Sequence, residues 1–501
     1  MKVILLLSGL GLLALFAELF RFKKILYPLI IIGMLGAIAV AASYWYYDDG
    51  NLAPYFNGMV GMVKNADGNL VSNHIIPNAA ELAPGHAFFS MFEFDQSSVI
   101  MTMILLVTTL LWFIMAKGFF TDDNNNTDHY AMIILALVGA VILTCYANMT
   151  MLFLGIEILS IPLYVLAGSR KNNTSSNEAA FKYFLMGSFA SGFLLFGITL
   201  IYGATASFDL WAIAFYVGEH AGENNTFIYA GILLMLVGLL FKIGAAPFHF
   251  WAPDVYEGSP TAVTAFMSTV VKTAAIVAIL RLFNLTVFGP IKDFWVPVIS
   301  VCVGLTFVIG NITAAVQNNV KRMLAYSSIS HAGFLLLAIV ALSVLSPKAI
   351  FFYTAAYSVA SIAAFTVVLN IMQQAGSDAI ENFNGLGKKN PLLAVVLTIA
   401  LLSLAGIPPT AGFFAKYYVF TAALQDHPWL VVIGILSSLV GVYYYFRIII
   451  AMYFKKAENE NPIVATPSHQ ALLFITAVII IVLGLLPDLI LEIGAPDAVN
   501  P

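Results

Sequence analysis

The stretch GLLFKIGAAPFHFWAPD, residues 238–254, places a lysine, a histidine and two prolines inside a run otherwise made mostly of Phe, Leu, Ile, Gly and Ala. Leucine would cost less than Lys242 there, and Pro247 and Pro253 interrupt the helix that the preceding residues favour. The reading of this stretch depends on the solvent around it. Of 501 residues, 61% are hydrophobic and 10% charged, and the mean hydropathy is +0.92. A soluble domain carries about 25% charged residues. Apolar runs recur along almost the whole chain, each long enough to cross a hydrocarbon layer about 30 Å thick. The expected fold class is an all-α polytopic membrane protein, because a spanning backbone must satisfy its own hydrogen bonds. The alternating pattern of a membrane β-barrel is absent.

The net charge of −4 argues against a nucleic-acid partner. The two cysteines, Cys145 and Cys302, lie in expected spans without CxxC or Cys/His spacing. Disulfide, haem, zinc and iron–sulfur readings therefore lack ligands, and both read as small buried hydrophobes. The first apolar run is followed by RFKK and a second run, so it reads as a retained helix rather than a cleaved leader. Neither GxGxxG nor GxxxxGK[ST] occurs, and no nucleophile is paired with a base.

About fourteen spans are expected, at 3–20, 25–46, 97–117, 129–147, 148–169, 177–204, 227–250, 259–283, 291–318, 322–344, 348–375, 391–424, 428–454 and 468–493. The boundary between the fourth and fifth is the weakest. The polar connection 48–96 is the only long one and carries no motif. With the N-terminus outside, inner loops hold twelve Lys/Arg residues, among them Arg170, Lys321, Arg322 and Lys388, against five outside, which include Arg281 and Lys348. The positive-inside rule then puts both termini outside, which is the periplasm in a bacterial inner membrane.

The chain resembles itself weakly. FKYFLMGSFAS (181–191) resembles FFYTAAYSVAS (351–361), KIGAAPFHF (242–250) resembles LAGIPPTAG (404–412), and MLFLGIEIL (151–159) can be laid on MLAYSSISH (323–331). Spans 4–8 thus correspond to spans 9–13. Five is odd, so the second unit enters from the opposite side, giving two inverted five-helix repeats. The expected organisation is 1–127 (three helices and the 48–96 loop), 128–283 (first repeat), 291–456 (second repeat) and 457–501 (last helix). Each repeat holds a broken helix, at Pro247 in one and at Pro408 and Pro409 in the other. Broken helices at membrane depth are tolerated where the freed backbone lines a protein-buried or watery cavity; a simple kink is the plainer alternative.

Charged groups at mid-span cost about 2.5–3.5 kcal/mol each on insertion scales. This chain places Glu157, Lys182, Lys242, Lys272, His331 and Lys416 inside spans, so they must face one another, water or broken helices. Plainer roles exist for each: Lys182 could snorkel to the interface, His331 could be a satisfied packing histidine, and the others could be structural pairs. His249, Asp254 and Glu257 sit where the seventh span reaches the inside, either as a solvated helix-end cluster or as an inner-side proton intake. A row of amines with one carboxylate and one imidazole suits proton transfer, because burial disfavours the charged form of amine and carboxylate alike and histidine titrates near neutrality unaided. Ser327, Ser328, Ser330 and Tyr326 could hold waters of such a relay.

Three runs carry a resemblance: GLLFKIGAAPFHFWAPDVYEGSPT (238–261), VKRMLAYSSISHAGF (320–334) and AGIPPTAGFFAKYYVF (405–420). In this order they resemble the antiporter-like membrane subunits of respiratory complex I, the proton-pumping NADH:quinone oxidoreductase, over roughly residues 95–455. The chain's length argues against the subunit type with an added lateral helix, and Lys416 against the type with a glutamate there. The resemblance implies a proton-translocating subunit of an enzyme complex, without a redox centre of its own. FMN, iron–sulfur clusters, NADH and quinone would be bound by other subunits, and the partners would be other membrane-arm subunits. It also implies that Glu157 pairs with Lys182, that Lys242 is the central proton-holding site, that Lys272 and His331 bridge two half-channels, and that Lys416 serves the exit side. The alternatives are a subunit of a multisubunit cation/proton antiporter and a structural spacer that pumps nothing.

Overall fold

The computed structural model describes residues 1–17, 23–47, 62–64, 70–72, 86–87, 91–119, 126–220, 225–283, 288–457 and 463–491. Most of the 48–96 connection, the end of the first expected span and the last residues of the fourteenth lie outside them. The helices that build the fold are α1 (Lys2–Phe16), α2 (Lys23–Tyr47), α3 (Gln96–Met115), α4 (Asn126–Cys145), α5 (Met149–Ala167), α6 (Thr174–Thr205), α7 (Leu210–Glu219), α8 (Thr226–Ile243) and α9 (Trp251–Gly258). They continue with α10 (Thr261–Phe283), α11 (Lys292–Ala315), α12 (Val320–Val340), α13 (Ser346–Ala375), α14 (Pro391–Ala405), α15 (Ala411–Ala423), α16 (Pro428–Phe454) and α17 (Pro467–Leu485). Twelve of these are long and apolar enough to span a membrane, and the chain is a multi-pass membrane protein. α1 and α14, with 15 residues each, are about 22 Å long, short of the hydrocarbon thickness; α15 continues α14 across a break.

Local chemistry sets the helix ends. Asn148 accepts from the Thr150 amide and starts α5 three residues after α4 stops, so the weak fourth–fifth boundary is a real one. Asn173, Asp209 and Asn225 cap α6, α7 and α8 with their side-chain oxygens, satisfying amides that have no partner in the first turn. α7 has no counterpart among the expected spans. At ten residues it is too short to cross, and hydropathy alone does not separate it from a connection.

The two helix breaks have one construction. α8 ends at Gly244, φ +70°, with the Ala245 amide donating to the Leu240 carbonyl and the Gly244 amide to Phe241. α14 ends at Gly406, φ +84°, with the Ile407 amide donating to Leu402 and the Gly406 amide to Ser403. A left-handed glycine closing this bond pair is a Schellman stop. A cis Ala246–Pro247 bond follows one and a cis Pro408–Pro409 bond the other, at matching positions of the two similar stretches. Pro253 is not a break, contrary to expectation. It occupies the third position of α9, where a missing amide proton leaves no intrahelical bond unmade.

α10, α12 and α13 form the enclosed centre, while α2, α6 and α16 expose much of their apolar length. α10 is not uniform: a π turn, Met267–Val271, interrupts it just before Lys272. α6 lies close on α8 because a Cβ on Gly197 would meet the Gly231 carbonyl at 2.6 Å. Within the long connection, Met62–Lys64 pairs antiparallel with Leu70–Ser72, and His86–Ala87 with Phe92–Glu93.

Candidate functional site

Lys242 is the last residue but one of α8 and 4% exposed. Its Nζ stands 5.6 Å from the ring centroid of Tyr164 on α5 and 5.7 Å from that of Tyr183 on α6. The two rings meet edge to face, 4.7 Å apart. Ring faces attract an ammonium without a carboxylate clamping it, by about 2 kcal/mol or more once desolvated. Glu157 attracts it through space.

Glu157 and Lys182 do not form the expected pair. Glu157, half-buried on α5, accepts a hydrogen bond from Ser191. Lys182 donates to Asp254 at 2.7 Å and pairs with Glu178 at 2.7 Å. Ser191 lies nine residues beyond Lys182 on α6, about 13 Å along the axis, so the carboxylate sits deeper than the amine. The Lys182 side chain is 38% exposed, in keeping with the snorkelling alternative.

On the other side of the centre, Lys272 donates to both the carbonyl and the hydroxyl of Ser328 on α12. A π turn lies directly ahead of it, and such turns recur at functional sites. His331 on α12 is hydrogen-bonded through Nδ1 to Tyr353 Oη at 2.6 Å and through Nε2 to Tyr445 Oη at 3.3 Å. Tyr445 in turn bonds Ser327, and Asn311 donates to Ser330 at 2.7 Å. Three of the four expected relay residues thus join the network, whereas Tyr326 lies beside Arg322 at the helix end. Lys416 donates to the Ala405 carbonyl at 2.8 Å and to Ser438 at 3.3 Å. Ala405 ends α14, so the ammonium meets the negative end of a half-helix. His331, Tyr353, Tyr357, Ser403 and Lys416 line a cavity of about 10 Å³, room for about one water.

At the end of the bundle formed by α9, α6 and α12, Asp254 accepts from Lys182 and, at 3.0 Å, from Arg322; Arg322 also donates to Glu257 at 2.6 Å. Burial alone would raise the Asp254 carboxyl, but Lys182 and Arg322 together hold it below its ordinary value. Asp254 and Glu257 are therefore members of an ion-pair network spanning three helices. His249 stands apart, buried, with Nδ1 unpartnered. Lys321, assigned to an inner loop by its sequence, is buried and donates to the carbonyls of Glu257 and Ser259 at 2.9 and 2.8 Å. Sequence reasoning also missed Arg281, which pairs with Glu93 at 3.2 Å and Asp95 at 3.0 Å. A span-end arginine after an apolar run was the available signal. Pro247, Pro408 and Pro409 fall inside the two breaks, whose open amides are met by side chains: Ala246 by Thr306 at 2.9 Å and Gly412 by Ser403 at 3.1 Å. Among the described residues no group of three or more metal-ligating side chains occurs.

The family described as NADH:quinone oxidoreductase/Mrp antiporter, TM, matches residues 147–441. NADH-quinone oxidoreductase subunit N of Cytophaga hutchinsonii is 40% identical over 99% of both chains. That of Flavobacterium psychrophilum is 41% identical over 98% of this chain and 100% of its own. Among solved structures, a chain of respiratory complex I from Thermus thermophilus superposes with a TM-score of 0.76 at 30% identity, covering 98% of each chain. A chain of the Mrp complex from Dietzia sp. superposes at 0.80 over 98% of this chain and 95% of that one, with 22% identity, a likeness of fold. With a family match across more than half its length and full-length relatives near 40% identity, the chain belongs to the NADH:quinone oxidoreductase/Mrp antiporter membrane-subunit family, alongside the subunit N proteins.

Proposed function

We propose that this chain is a proton-translocating membrane-arm subunit of an NADH:quinone oxidoreductase, driven by quinone reduction elsewhere in the complex. The observation that carries the reading is the row of buried ionisable groups, Lys242, Lys272, His331 and Lys416. Two of the lysines stand at helix breaks, and hydroxyls of Ser328, Tyr353 and Tyr445 reach the other two groups. Lys242 holds the proton at the first break; Lys272 and His331 carry it across; Lys416 passes it to the far side. Glu157 attracts the Lys242 proton, and the Lys182–Asp254–Arg322–Glu257 network guards the inner side. The two breaks belong to inverted five-helix repeats, and both termini face the periplasm. Electron carriers reside in other subunits.

The full-length likeness to subunit N proteins favours this reading over a cation/proton antiporter subunit, whose likeness is one of fold. Proton uptake per NADH oxidised, in inverted vesicles carrying Lys242→Ala with assembly verified on a native gel, tests it. A loss of roughly 10²-fold in coupled uptake is expected; uptake equal to wild type would make the lysine structural.

A further inference from the structure

The Tyr164 and Tyr183 hydroxyls have no hydrogen-bond partner. Both residues are buried, Tyr183 completely and Tyr164 to 7% exposure. A buried hydroxyl left dry is costly, and native interiors usually resolve this with ordered water. Both belong to the rings that face Lys242 Nζ, which itself makes no hydrogen bond among the described residues. Ser160, the polar neighbour of Tyr164, donates its proton to the Ile156 carbonyl, so toward the tyrosine it can only accept.

Their placement is fixed by packing. A Cβ on Gly187 would lie 2.2 Å from the Tyr164 oxygen, so α6 carries no side chain where that hydroxyl rests. Tyr183 is stacked on Trp251, 4.8 Å between centroids at 11°, and Trp251 is anchored by donating to the Phe241 carbonyl at 2.8 Å. Rings pinned this way hold hydroxyls without a well-formed protein partner, on the two rings that face an ammonium with three protons to give.

We propose that the Tyr164 and Tyr183 hydroxyls, with Lys242 Nζ, form a water-binding site, and that the two tyrosines are positioning residues for the proton-bearing lysine. The inference rests on the proton-site reading of Lys242 and adds two groups to it. The ring faces hold the ammonium, and the hydroxyls hold the water through which its proton leaves. A high-resolution map of the assembled wild-type complex should show ordered water about 2.7–3.0 Å from Tyr183 Oη; a dry pair of hydroxyls would overturn the proposal. In vesicles, the Tyr164→Phe/Tyr183→Phe double variant keeps both rings and should slow coupled proton uptake about tenfold, equivalent to one lost hydrogen bond. If Lys242→Ala abolishes uptake while the double variant matches wild type, the water site falls and the lysine reading stands. If both match wild type, both fall. Should the double variant fail to assemble, the wild-type map decides.

Discussion

At Lys416 a single ammonium does two jobs: it closes the carbonyl end of α14 and stands across a water-sized cavity from His331. Lys416→Met should therefore remove coupled proton uptake and also cost about 1–3 kcal/mol of stability, because the Ala405 carbonyl is left without a donor. Thermal unfolding of the purified complex beside the vesicle assay separates the two effects. Asp254 behaves differently. Its carboxyl is held below the ordinary value of 3.8 by Lys182 and Arg322. The stabilisation from that pairing is present in full above about pH 4 and disappears as pH falls through the lower native value. An acid titration of unfolding in Asp254→Asn should lack that acid-induced drop: the variant is less stable than wild type near neutrality, by no more than about 1 kcal/mol because the group is partly exposed, and converges with wild type as the pH falls. The charges themselves were legible, since each sits in an apolar run where charge is expensive. Their partners were not. Glu157, on α5, meets α6 at Ser191, nine residues from Lys182, and serine and tyrosine, which answer the buried amines, are common in any membrane helix.

At the scale of elements, Gly244 and Gly406 occupy the same backbone state but different surroundings. A Cβ on Gly244 would make an ordinary 3.5 Å contact with Ala252, whereas one on Gly406 would press on Lys416 Cδ at 2.8 Å. Gly244→Ala should cost about 1–2 kcal/mol from its left-handed backbone with proton uptake mostly kept. Gly406→Ala should add a displaced Lys416 and a loss of uptake; the two variants in the vesicle assay make the comparison. The spans were readable from hydropathy and the breaks from their prolines, although the glycines ahead of those prolines end the helices. Two elements left no readable sign. α7 is too short for a hydropathy window, and the π turn in α10 leaves no mark in the sequence's periodicity. Pro253 misled because a proline in a first helical turn and one in a break look alike in sequence.

Across the whole molecule, the ionisable row runs from Lys242 on α8 through Lys272 on α10 and His331 on α12 to Lys416 on α15; α10, α12 and α13 have almost no outward surface, while α2, α6 and α16 carry the apolar exterior. Cys145 and Cys302 are both buried, so an aqueous charged maleimide should label neither until the protein is denatured, as mass spectrometry would read. Arg281 serves the molecule's integrity. It joins Glu93 and Asp95, which precede α3, to the Tyr146 and Thr144 carbonyls at the end of α4. Arg281→Ala strands two carboxylates and should destabilise the complex by about 3–5 kcal/mol, visible as a lowered melting temperature.

That anchorage also bears on α10 as a mechanical part. One end is tied down by Arg281, and the other by Thr264, which donates to the Tyr256 carbonyl at 2.8 Å. A rod gripped at both ends cannot slide. The slack it retains is the surplus residue of the π turn, one step before Lys272. Passing that surplus along the helix by one turn swivels the intervening side chains by about 100° and leaves both grips untouched.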